Sequence, residues 1–228
     1  MTAKPTITFF KPSPSCGPRR EAARPDMIVL HYTAMQSAEA ALERLCDPGV
    51  EVSAHYLICE RGRVWQMVHE EMRAWHAGAG RWGDVRDVNS RSIGIELANR
   101  GDHPFPEPQM AALEALMPGI MARWDIPPER VIAHSDMAPG RKCDPGPRCD
   151  WRRLALQGLS VWPEPGMPGD FARDAEAFGY PVGDVAPEAL LQAFRLRFRP
   201  WAEGALCEAD RAMMTGLAAR WPVAALVG

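Results

Sequence analysis

The chain has 228 residues, 46% of them hydrophobic and 24% charged, with a formal net charge of -3. That length accommodates one α/β domain of ordinary size with a small satellite and excludes two large domains. The composition is that of a soluble globular protein, and the slightly acidic balance gives no electrostatic basis for a nucleic-acid partner.

Residues 1–20 contain only the short apolar stretch Ile7-Thr8-Phe9-Phe10 between prolines, too little for the apolar core of a secretory signal. No later segment is apolar enough to span a bilayer, so a cytoplasmic protein is expected. Met27-Ile28-Val29-Leu30 reads as a buried strand running into His31, and residues 37–46 read as a helix stopped by Asp47-Pro48-Gly49. Tyr56-Leu57-Ile58-Cys59 and Val64-Trp65-Gln66-Met67-Val68 flank a Gly-containing turn and predict an antiparallel hairpin. In Ser92-Ile93-Gly94-Ile95-Glu96-Leu97, strand alternation puts Ile93, Ile95 and Leu97 on one face and Glu96 on the other. A helix is expected over residues 109–124, with Pro118-Gly119 kinking or dividing it. Val131-Ile132-Ala133 is a second buried strand that ends in histidine, His134, and a helix should start near Asp150.

Residues 162–169 are dense in proline and glycine and read as a linker rather than a packed element. Beyond them, residues 171–178, 186–198 and 207–221 have the spacing of short amphipathic helices. Three such helices are small for independent folding, so they should dock on what precedes them. The expected organisation is a first domain at 1–161, a linker at 162–170 and a helical domain at 171–228.

Six cysteines stand at 16, 46, 59, 143, 149 and 207 without a repeated C-x-x-C pair, which excludes a small disulfide scaffold and a structural zinc motif. Cys143 and Cys149 are close enough in sequence to pair, but buried free thiols are the expectation. No cysteine carries a nucleophile motif.

The chemistry concentrates in His134-Ser135-Asp136-Met137-Ala138-Pro139-Gly140-Arg141-Lys142-Cys143-Asp144-Pro145-Gly146-Pro147. This loop, stiffened by proline and glycine, places a lysine and an aspartate beyond a strand-end histidine. His31 also ends a strand, and residues at strand ends converge at the rim of an α/β sheet, where ligands bind. Imidazole and carboxylate are ligands that zinc favours, and three protein ligands leave a fourth position open, so His31, His134 and Asp144 suit a catalytic zinc. Each residue alone reads more plainly as a hydrogen-bonded core histidine or a turn carboxylate.

The ordered set is more informative. Ile28-Val29-Leu30-His31-Tyr32-Thr33-Ala34, Val52-Ser53-Ala54-His55-Tyr56-Leu57-Ile58, Ala74-Trp75-His76-Ala77-Gly78, Ser92-Ile93-Gly94-Ile95-Glu96-Leu97-Ala98-Asn99 and the loop from His134 occur in one order. Together, over residues 26–151, they resemble the type-2 N-acetylmuramoyl-L-alanine amidases, the family of the AmpD and AmiD amidases and the peptidoglycan recognition proteins.

The resemblance implies an α/β fold, a mixed central β-sheet flanked by helices, with a catalytic Zn2+ held by His31, His134 and Asp144. It also implies catalytic roles for Glu96, as proton carrier, and Lys142, as stabiliser of the oxyanion. Some relatives use a cysteine as third ligand; here the tripeptide Asp144-Pro145-Gly146 favours Asp144 over Cys143. Trp75, His76, Ala77 and Gly78 resemble the family's groove-lining segment, and Trp82, Asn89 and Arg91 follow as expected substrate contacts, while His55 is expected to be structural. The implied reaction hydrolyses the amide between the lactyl group of N-acetylmuramic acid, expected in its 1,6-anhydro form during cell-wall recycling, and L-alanine of the stem peptide. The implied partner is thus a muropeptide or peptidoglycan fragment.

Phe178-Gly179-Tyr180 and Ala193-Phe194-Arg195-Leu196-Arg197-Phe198-Arg199-Pro200 resemble a three-helix peptidoglycan-binding domain, which points instead to an envelope amidase acting on sacculi, in the periplasm or at the outer membrane. A non-catalytic muropeptide receptor is the alternative of another class, and the complete set of zinc and catalytic residues argues against it.

Overall fold

The computed structural model describes residues 7–223. Its strands are β1 (Ile7–Phe10), β2 (Cys16–Pro18), β3 (Met27–Tyr32), β4 (Tyr56–Ile58), β5 (Val64–Gln66), β6 (Met72–Ala74), β7 (Ser92–Leu97) and β8 (Val131–Ala133). The α-helices are α1 (Ala38–Leu45), α2 (Val88–Arg91), α3 (Glu107–Trp124), α4 (His134–Met137), α5 (Trp151–Leu156), α6 (Phe171–Phe178), α7 (Pro187–Phe198) and α8 (Glu208–Arg220). Six strands form one mixed sheet in the order β1-β5-β4-β7-β3-β8, in which only β4 and β5 pair antiparallel; β2 and β6 form a separate two-stranded ribbon.

Alternation along the central strands divides the core. Ile28, Leu30, Ile93 and Ile95 face α3, packing with Leu113 and Met117. Met27, Val29 and Ile132 point the other way, into a cluster completed by Phe178, Phe194 and Phe198 of the C-terminal helices. Leu57 and Trp65 meet Ala41, Leu42 and Leu45 of α1 in a third cluster. Among the described residues, no helix is long and apolar enough to cross a membrane.

One expectation needs correction, and two segments are more ordered than their sequence shows. The helix is not divided at Pro118: α3 runs unbroken. A mid-helix proline costs about 3 kcal/mol, whereas Leu113, Leu116, Met117 and Ile120 are each buried, at roughly 1.5–3 kcal/mol apiece. Pro118 also lies on the exposed side, where water can serve the carbonyl left without its donor. The segment read as a linker runs along α8, where the Gly166 N–H donates to the Ala212 carbonyl at 2.8 Å and bare Gly216 lies close under the Glu164 carbonyl. Finally, Ile7–Phe10, read only as a short apolar stretch, is an edge strand parallel to β5.

The helical segment is joined to the sheet by polar contacts as well as packing. Asp136, fully buried in the turn that follows β8, accepts from the Ala133 N–H at 2.8 Å, the Tyr180 hydroxyl at 2.7 Å and the Arg197 guanidinium at 2.6 Å. Arg197 also donates to the Val131 carbonyl at 2.9 Å, and its guanidinium lies 4.3 Å from the Trp151 ring centroid.

Candidate metal centre and active site

Parallel pairing of β3 with β7 sets His31 level with Glu96, and pairing of β3 with β8 sets Leu30 level with Ala133, so His134 follows one step beyond. His31, Glu96 and His134 therefore stand at the carboxyl ends of adjacent parallel strands, where open α/β sheets bind ligands. The loop after α4 folds back on that end: the Ser135 N–H donates to the Asp144 carbonyl at 3.0 Å, and the Arg141 and Lys142 N–H groups both donate to the Ala138 carbonyl.

This places three donor atoms in a triangle. His31 Nδ1 lies 2.9 Å from His134 Nδ1 and 2.9 Å from Asp144 Oδ2, and His134 Nδ1 lies 3.0 Å from the same carboxylate oxygen. Their hydrogen-bond partners fix where the ring protons sit. His134 Nε2 faces the Ala77 carbonyl at 2.8 Å, so it carries the proton and leaves Nδ1 bare. The Ser92 hydroxyl donates to the Val88 carbonyl, so its oxygen accepts from His76 Nε2 at 3.1 Å. His76 Nδ1 is then an acceptor and takes the Nε2 proton of His31 at 3.0 Å, leaving His31 Nδ1 bare as well.

Burial, and then the neighbouring His134, lower the His31 pKa to about 4, keeping the ring neutral at physiological pH. Two bare imidazole nitrogens and a carboxylate thus converge with no proton between them. Only a cation satisfies such a set, and the residues fit a divalent metal with two nitrogen ligands and one oxygen ligand.

A cavity of about 370 Å³ opens beside the triangle and is lined by Trp75, His76, Glu96, Lys142 and Arg44, among others. Glu96 reaches it from the central strand with Oε2 buried and unpartnered; burial, then the Asp144 charge, raise its pKa to about 8, with Lys142 acting in the opposite sense.

The remaining residues expected at a substrate groove divide. Trp75 and His76 line the cavity, though His76 also backs His31. Ala77 is buried and contributes its carbonyl to His134, and Gly78, at φ +63°, lies beneath the Arg141 guanidinium. Trp82 is corrected: it is 0% exposed and stacks edge-on with Phe178 and Tyr180, far better served by the apolar interface than by a solvent-filled groove. Asn89 is corrected too, since its side-chain oxygen accepts from the His76 and Ala77 N–H groups at 3.0 and 2.9 Å and supports the groove wall from behind. Arg91 pairs with Asp26, outside the cavity.

His55 is buried and accepts from the Gly94 N–H, away from the cavity lining. Cys143 and Cys149 are unpaired, as are the other four thiols. Cys149 is buried, but Cys143 is exposed beside the Tyr32 hydroxyl, 3.1 Å away, because neighbouring residues of an extended loop turn to opposite sides. Nothing local in the sequence marks Arg141, whose guanidinium donates to the carbonyls of Ala77 and Ala79, tying the groove wall to the loop that carries Asp144.

The proton chain through His76 has a measurable consequence. A Cβ on Gly94 would fall 2.5 Å from the His76 ring, so the ring fits only over a glycine. His76→Ala is expected to weaken metal binding by about 10- to 100-fold, read by competition with a chromophoric chelator. An unchanged affinity would remove His76 from the support of His31.

Comparison with known proteins agrees with this geometry. The family described as N-acetylmuramoyl-L-alanine amidase (Amidase_2) matches residues 21–147. The amidase AmiD of Escherichia coli K12 is 38% identical, with 76% of this chain and 75% of that one covered. The 1,6-anhydro-N-acetylmuramyl-L-alanine amidase AmpD of Enterobacter cloacae is 33% identical over 63% of this chain and 86% of its own. The solved complex of E. coli AmiD with anhydro-N-acetylmuramic acid-L-Ala-D-gamma-Glu-L-Lys superposes with a TM-score of 0.79 at 36% identity, covering 88% of this chain and 92% of that one. AmpDh3 from Pseudomonas aeruginosa, solved with anhydromuramic pentapeptide, gives 0.80 at 31% identity over 90% and 95%. With its histidine–histidine–aspartate centre at the rim of the same mixed sheet, the chain belongs to the N-acetylmuramoyl-L-alanine amidase family.

Proposed function

We propose that this protein hydrolyses the amide between the lactyl group of muramic acid and L-alanine of the stem peptide, using one zinc ion held by His31, His134 and Asp144. The observation that carries the reading is the triangle of unprotonated donors beside a cavity that also holds Glu96. When bound, zinc supplies Lewis acidity towards the lactyl carbonyl and makes water a stronger acid.

The protein's own residues supply the rest. Glu96, one strand from His31, carries a proton from the attacking water to the leaving amine of L-alanine, an otherwise poor leaving group; a cation held by the neighbouring triangle would offset the Asp144 charge that raises its pKa and so favour the ionised form this role needs. Lys142 neutralises the oxyanion of the tetrahedral intermediate on the substrate. His76 and the Ala77 carbonyl keep both metal-facing nitrogens free of protons.

Substrates with a 1,6-anhydro end are favoured by the AmpD relative's name and by the ligands of the two solved neighbours. Incubating the protein with anhydro and reducing-ended muropeptides, with and without a chelator, and following free stem peptide by mass spectrometry tests the reading. Release that stops on chelation and returns with zinc is expected; no release by the metal-loaded protein would sink the amidase in favour of a receptor. Six free thiols suit a reducing compartment and hence recycling of fragments in the cytoplasm. Recovery of the protein in the envelope fraction would replace that setting with action on the wall itself.

A further inference from the structure

The cavity at the metal centre is electrostatically uneven. The acidic residues in its lining, Glu96 and Asp144, both belong to the metal end. Three cations also line it: Arg44, Arg141 and Lys142. Arg141 is engaged with the carbonyls of Ala77 and Ala79. Lys142 lies close enough to His31 and Glu96 for its charge to act on both. Arg44, in the last turn of α1, is exposed, and among the described residues its guanidinium has no hydrogen-bond or ion-pair partner. Ala41 and Leu45 of the same helix, with Met35 and Val52, give that end of the cavity apolar walls, which strengthen any charge pairing made there.

Substrate chemistry supplies a matching anion. In a stem peptide of sequence L-Ala-D-γ-Glu-L-Lys, as bound by the solved AmiD neighbour, glutamate continues the chain through its side-chain carboxyl. Its α-carboxylate is therefore left free. That carboxylate lies two residues from the scissile amide, roughly 7 Å at about 3.5 Å per extended residue. The anhydro sugar on the other side of the bond carries no charge, so the cationic end of the cavity suits the peptide rather than the sugar.

We propose that Arg44 is a specificity residue that pairs with the free α-carboxylate of the second stem-peptide residue, so that the groove prefers D-γ-glutamate to its amidated form, D-isoglutamine. A guanidinium matches a carboxylate through two parallel N–H···O bonds, which an uncharged primary amide cannot reproduce. This inference rests on the amidase reading of the same cavity. The plainer role for Arg44, complementing the carbonyl end of α1, makes no distinction between the two peptides.

The test uses calorimetry on metal-loaded protein in a Glu96→Gln background, which leaves the substrate uncut, with anhydromuramoyl-L-Ala-D-γ-Glu-L-Lys and its D-isoglutamine counterpart as ligands. With Arg44 present, the acid form should bind about tenfold more tightly than the amide. Arg44→Gln should bring the ratio of dissociation constants close to one, and Arg44→Lys should restore some of it. A ratio that survives Arg44→Gln, or a variant that weakens both ligands equally, overturns the assignment. Hydrolysis by the unaltered protein is scored separately: failure to release peptide refutes the amidase reading, while the binding ratio still decides the role of Arg44.

Discussion

Glu96→Gln is expected to lower kcat by about 10²- to 10⁴-fold, the range typical for removing a general acid–base group, while metal content and folding are retained. The substitution keeps the shape of the side chain and removes only its capacity to accept and return a proton. Among the described residues no hydrogen bond ties the Glu96 Oε2 to a structural role, and its strand is held by backbone pairing to both β3 and β4. Burial and the Asp144 charge already favour the neutral form of Glu96, so the exchange replaces one neutral buried group by another of the same shape and the melting temperature should hold. Asp144→Asn provides the contrast, because it removes a donor of the metal triangle and should lose metal and activity together. The measurements are kcat and KM on a defined muropeptide, metal by elemental analysis, and a thermal melt. A Glu96→Gln protein that retains kcat within a few-fold would transfer proton handling to another group.

The second large effect is on stability. Arg197→Met should destabilise the fold by about 3–5 kcal/mol, because Asp136 would remain as a buried charge that has lost its counter-ion. For a chain of this length that corresponds to a fall in melting temperature of roughly 6–20 °C. The Tyr180 hydroxyl and Ala133 N–H would still serve Asp136, and neither carries a formal charge. Replacing both members, Asp136→Leu with Arg197→Met, should recover only a fraction of the loss, since those two donors then lose their acceptor. Chemical denaturation of the single and double variants yields the coupling energy. An Arg197→Met protein with the stability of the parent would mean that the ion pair contributes nothing across this interface.

What the sequence discloses follows from the range of the interactions involved. The strands leading to His31 and His134 are legible because an apolar run followed by a polar, metal-competent residue needs only nearest-neighbour information, and Glu96 is legible through alternation. The five ordered segments carry the rest of the centre. Partners fixed by the folded chain are not legible: nothing in residues 88–91 shows that Asn89 would serve the backbone of His76 and Ala77. Arg197 and Asp136, separated by 61 positions, give no local sign of meeting. Trp82 misleads because a tryptophan beside a catalytic segment suits either a groove or a core, and only the positions of Phe178 and Tyr180 decide. Pro118 misleads for the opposite reason, a local rule outweighed by tertiary burial.

The sheet face that carries the chemistry is shared. At the carboxyl ends of β3 and β7 it presents His31 and Glu96, while Met27, Val29 and Ile132 of the same face lie under the C-terminal helices. For anyone dissecting the protein, the proline- and glycine-rich stretch is therefore expected to be a poor place to cut. Cutting there would uncover Trp82 and its apolar neighbours and leave the turn bearing His134 without the arginine that anchors it. The smallest piece expected to behave as an enzyme is the one that keeps its tail.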